Sequence, residues 1–135
     1  MVRKVFLFML LLGCSACTPQ VQTIDSQRVV QKTNVELIYQ PARMTTESPL
    51  ALDIKAPINW QLTSARMVGL SMDMPVMPLF FSKIAVTEMG QTRWQSQFLV
   101  GACADEKMIW RLELVFKDET GAEQRLSDEF VVYRR

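Results

Sequence analysis

Histidine is absent from this 135-residue chain. Without an imidazole there is no Ser-His-Asp or Cys-His catalytic pair, no HExxH zinc site and no His-ligated blue-copper centre. An excess of one charge is also missing: 15 Lys and Arg stand against 14 Asp and Glu, and the basic residues form no cluster. That excludes the electrostatic footprint of a nucleic-acid binder. No carboxylate pair stands out as an acid–base couple and no nucleophile has a base beside it, so an enzyme is not expected. No apolar run reaches the roughly 20 residues of a transmembrane helix. With hydrophobic residues at 49% and charged residues at 21%, the chain can pack one domain, with little left over.

The first residues read as an address. Arg3 and Lys4 precede the unbroken apolar run Val5 to Leu12, the n- and h-regions of a signal peptide. Leu11-Leu12-Gly13-Cys14 follows and resembles the bacterial lipobox, in which a small residue precedes a cysteine that is acylated and becomes the mature N-terminus. The resemblance implies a signal peptide over 1–13 and lipid on Cys14. Cys17, within Cys14-Ser15-Ala16-Cys17, is the alternative lipidation site, and an ordinary secretory cut after Ala16 is a second alternative. Acyl chains would anchor the protein without a spanning helix, at about 0.8 kcal/mol per buried methylene. Ser15 after the modified cysteine implies, by the same resemblance, sorting to the outer rather than the inner membrane, with the body in the oxidising periplasm.

Residues 14–32 form the lipidated N-terminus and a polar stretch that reads as a flexible tether, leaving 33–135 for the domain. There the pattern changes to short alternating segments. Val35, Leu37 and Tyr39 alternate before Pro41, and Leu50, Leu52 and Ile54 before Pro57. Val68, Leu70, Met72 and Met74 share one parity up to Pro75, and Ile84 and Val86 precede Met89-Gly90. Trp94, Ser96, Phe98 and Val100 lead to Gly101, Met108 to Phe116 alternates up to a turn at 117–121, and Phe130 and Val132 belong to a last run. Period-two alternation broken by turns predicts an all-β, immunoglobulin-like antiparallel sandwich of about seven strands. Trp94, Phe98, Trp110, Leu112 and Leu114 are expected inside, because each sits on the apolar parity of its strand.

The order Ser48-Pro49-Leu50-Ala51-Leu52, Ala65-Arg66-Met67, Met72-Asp73-Met74-Pro75-Val76-Met77-Pro78, Gly90, Trp94 to Leu99 and Trp110-Arg111-Leu112 resembles the YtkA/FixH type of periplasmic β-sandwich. In that type a strand ends in a Met-x-Met-Pro-x-Met-like segment. The resemblance spans roughly residues 48–116 and implies a role in copper delivery or oxidase assembly, with an envelope metalloprotein or assembly factor as partner. The connection 101–108, which carries Cys103, departs from the pattern.

In an imidazole-free chain the remaining soft donors are sulfur. Met72, Met74 and Met77 form an MxMxxM spacing, and thioethers suit Cu(I) far better than Zn(II) or Mg(II). On a strand Met72 and Met74 would share a side, the breaks at Pro75 and Pro78 would turn Met77 back toward them, and Cys103 or Met108 would add a further ligand. The competing reading packs these methionines as flexible filler at one end of the core. Cys103 likewise reads as a buried thiol, a ligand or a disulfide partner of Cys17. Two functions follow: an envelope lipoprotein that binds Cu(I) through Met and Cys sulfur, or a lipid-anchored protein–protein interaction module without metal.

Overall fold

The computed structural model describes residues 27–135; the expectations for the signal peptide, for Cys14 and Cys17 and for most of the tether lie outside the described residues. These residues form an all-β sandwich without helices, ten strands in two five-stranded sheets. The first sheet runs β1 (Arg28–Lys32), β2 (Val35–Gln40), β4 (Leu50–Pro57), β8 (Gln91–Phe98), β7 (Ser82–Val86). The second runs β3 (Met44–Thr45), β10 (Glu123–Tyr133), β9 (Lys107–Lys117), β5 (Gln61–Gly69), β6 (Met77–Pro78). Neighbours are antiparallel except the short β3, which lies parallel to β10.

The core follows from the alternation. Val35, Leu37 and Tyr39 of β2 and Leu50, Leu52 and Ile54 of β4 are buried, and they face Met108, Trp110, Leu112, Leu114 and Phe116 of β9. Trp94 and Phe98 pack against this core but stay half-buried; Trp94 lies opposite Lys83 of β7, a strand exposed along its whole length. The count exceeds seven because β3 and β6 are two-residue strands and because β1 falls inside the stretch read as tether.

The parity expected for 68–74 is not observed. In β5 it is Met67 that is fully buried, whereas Val68 is half-buried on the outer face and Leu70 is 40% exposed. The strand ends at Gly69 instead of running to Met74, and its register shifts between Leu62 and Ser64. Such a bulge moves every later side chain to the opposite face. At the β1/β2 side the two sheets are joined by a polar contact. Asp128 of β10, buried, accepts hydrogen bonds from Tyr39 Oη (2.9 Å) and Arg28 Nη1 (2.8 Å). Burial, and then the neighbouring Asp128 carboxylate, hold the Tyr39 phenol protonated well above its usual range.

Candidate functional site

Beyond Gly69 the chain turns over its own strand end. Met74 N donates to Met72 O (3.0 Å), Leu70 N donates to Ile109 O (2.8 Å), and Ile109 N donates to Ser71 Oγ (2.9 Å), so the turn is pinned to the start of β9. Gly69 permits this approach: a Cβ at that position would lie 3.2 Å from both Met72 O and Met74 Cβ. The result is a narrow crevice with no room for a water molecule, lined by Gly69, Ser71, Met72, Met74, Met108, Ile109 and Trp110.

Three of the five sulfur residues singled out by the sequence therefore meet. Met72 and Met74 arrive through a turn, not a shared strand face, and are half-buried; Met108, 1% exposed, forms the floor. Met77 lies elsewhere, on β6 opposite Met67, where it packs on the core. Cys103 lies half-buried in the connection between β8 and β9 and does not line the crevice. That connection is held by Arg134, which donates through its backbone N to Glu106 O and through Nη1 to Ala104 O, each at 2.9 Å. Among the described residues, no three Cys, Asp or Glu side chains converge as a metal-binding group. The donors that do converge are thioethers, which fit a soft monovalent ion and not a hard divalent one. The roles of Gly69 and Trp110 in the crevice were not anticipated. A glycine next to an apolar pair was the available signal, since it marks a close backbone approach.

A second feature lies on the opposite flank. Two adjoining clefts, about 670 and 310 Å³, meet at Trp94 and Leu62 between the β7 and β6 edges. Lys83 sits 6.0 Å from the Trp94 ring centre, and the neighbouring apolar side chains are strongly exposed: Phe80 is 82% exposed, and Ile84 and Val86 about half. Sequence reading placed Ile84 and Val86 on a strand but gave no sign that this strand would face solvent. A third groove, about 620 Å³, crosses the outer face of the second sheet, where Glu113 accepts from Arg66 Nε (2.6 Å) and Arg111 Nε (2.9 Å). The Arg66 hydrogen bond, helped by Arg111, holds the Glu113 carboxyl below the usual range. Its charges are paired.

No family model matches the sequence, and no curated protein matches it. Among solved structures the chain is similar to the crystal structure of a DUF4426 family protein from Pseudomonas aeruginosa PAO1, with a TM-score of 0.51 and 12% identity. The likeness covers 78% of this chain and 96% of that one. At that identity what is shared is the fold: a two-sheet, all-β domain.

Proposed function

We propose that this protein is an envelope lipoprotein, anchored through Cys14 (alternatively Cys17) and facing the periplasm from the outer membrane, that carries Cu(I) for delivery or for metalloenzyme assembly. The observation that supports the copper reading is the meeting of Met72, Met74 and Met108, from two separate segments, in one crevice. Met72 and Met74 are reachable from solvent, which suits a cargo that must be passed on, and thioethers bind Cu(I) without competing for hard ions. The YtkA/FixH-like order of motifs supports the same role. Met77 and Cys103, outside the crevice, are secondary candidates for a ligand on the transfer path.

Titration of the reduced chain with Cu(I) against a competing chelator tests the reading. Leucine conserves volume and apolarity, so M72L/M74L should keep the fold at a cost below about 1.5 kcal/mol per site while losing copper. M77L should retain it. Equal Cu(I) affinity in M72L/M74L and the parent would remove the crevice as the site. The second reading, a lipid-anchored interaction module without metal, is favoured by the exposed apolar side chains around Trp94. It expects a photo-crosslinker at Phe80 to give one discrete adduct in cells, lost on Ile84→Asp. Intact mass of membrane-extracted protein tests the anchor: a chain starting at Cys14 plus acyl groups is expected.

A further inference from the structure

Among the described residues, β1 is an edge strand that hydrogen-bonds to β2 alone. None of its five residues is fully buried: Arg28, Val30 and Lys32 face inward and half-buried, and Val29 and Gln31 are exposed. Charge fastens it to the opposite sheet. Asp128, 6% exposed, accepts from Arg28 Nη1 at 2.8 Å and lies 3.8 Å from Lys32 Nζ, while Arg28 Nη2 also donates to Glu129 O (3.2 Å). The β2 edge and Asp128 together therefore recognise an extended strand with a basic–x–aliphatic–x–basic pattern, since alternate residues share a face.

The link between β1 and β2 is strained. It has two residues, Thr33 and Asn34, between the paired Lys32 and Val35. Thr33 has a φ of 51°, and Asn34 is not among the positive-φ residues. That sign pattern belongs to a II′ turn, whose first position is normally glycine. A β-branched side chain is poorly tolerated in the left-handed region, and an extended backbone at Thr33 would relieve it. Short hinges under strain favour exchange of the element they connect.

We propose that β1 exchanges between two copies of this chain: the hinge at Thr33–Asn34 straightens, and each β1 pairs with the other copy's β2, placing Arg28 and Lys32 on the other copy's Asp128. The occupant is a second copy because the pattern that fits Asp128 is the chain's own β1. Straightening the hinge, which relieves the positive φ at Thr33, also carries that same β1 away from its own β2.

The test uses the full chain under reducing conditions, so that disulfides cannot imitate the dimer. R28E and D128R each place like charges together within one chain, but exchange between the two restores both pairs. Mixing R28E with D128R should raise the dimer fraction in sedimentation at least about tenfold over either alone. Thr33→Gly, which fits the turn, should lower the parent's dimer association constant by about tenfold or more. Mixed chains that fold by circular dichroism yet stay monomeric would overturn the proposal. If either charge variant does not fold, Thr33→Gly decides alone: a dimer as strong as the parent's, or a parent monomeric at every concentration, also overturns it.

Discussion

The β9–β10 hairpin and the segment from Gly69 to Pro78 adjoin each other, and they differ in what fixes their shape. Eleven cross-strand pairs, from Lys117 with Glu123 to Lys107 with Tyr133, set the hairpin, and every second residue of β9 is buried. There alternation and register are one fact, because a slip of one residue would expose the whole apolar set. The Gly69–Pro78 segment has no ladder before β6; a few backbone bonds and the fit of two methionines over one glycine hold it. Periodic structure is set by pattern, and a turn of this kind by particular contacts.

The sharpest way to break the comparison is Trp110→Ala. Trp110 is 2% exposed and belongs to both regions, as a β9 core residue and as a wall of the methionine crevice. Truncation should cost about 3–5 kcal/mol in chemical denaturation. A loss below about 1 kcal/mol would mean that β9 is not the core strand described. Next comes the pair that separates observed parity from expected parity. Met67→Ala should cost about 2–5 kcal/mol, whereas Leu70→Ala, at an exposed site, should stay within about 0.5 kcal/mol. The reverse order would restore the register in which Leu70 and Met72 share the core face.

These two residues show how far the sequence could be read. Val35, Leu37, Tyr39, Leu50, Leu52 and the even positions of β9 were legible because the alternation is unambiguous and no bulge intervenes. Met67-Val68 offers two adjacent apolar residues, so parity was undetermined, and the shift at Leu62/Ser64 that decides it has no local signature. The crevice was half legible. The clustering of Met72 and Met74 was visible as spacing, but the partnership with Met108 depends on Gly69 admitting the turn. The apolar β7 flank was not legible, because exposure of an edge strand depends on what covers it.

Gly69→Ala probes that dependence directly. The new Cβ would lie 3.2 Å from a backbone oxygen, which cannot move aside as a side-chain tip can. Overpacking of this kind costs about 1–3 kcal/mol. The strain should be confined to the turn, so amide exchange should rise at 70–74 and remain unchanged through β10. Cu(I) affinity should fall with it if the crevice is the site. Uniform loss of protection across both sheets would show that the turn and the hairpin are not separable units.

The smallest effect is expected at the closed end of the hairpin. Asp118 accepts from Thr120 Oγ1 (2.6 Å), Gln124 Nε2 (3.0 Å), Thr120 N (2.9 Å) and Ala122 N (3.0 Å), and Gly121 completes the turn at a φ of 83°. The Thr120 hydroxyl first, then Gln124 and the two backbone amides, lower the carboxyl from 3.8 to about 2. A depressed folded-state value means that the unfolded chain takes up the proton first. The turn's contribution is therefore complete above pH 3.8 and is lost as pH falls through about 2. Because the group sits in a surface turn, solvent screens the effect and it should be small. Comparing the denaturation midpoint of the parent with that of Asp118→Asn isolates it from the other acids that titrate in the same range. The difference should be constant from pH 7 to 5 and shrink between 3.8 and about 2. A difference that persists unchanged at the acid end would mean that Asp118 shapes the turn as a neutral acceptor and not as a carboxylate.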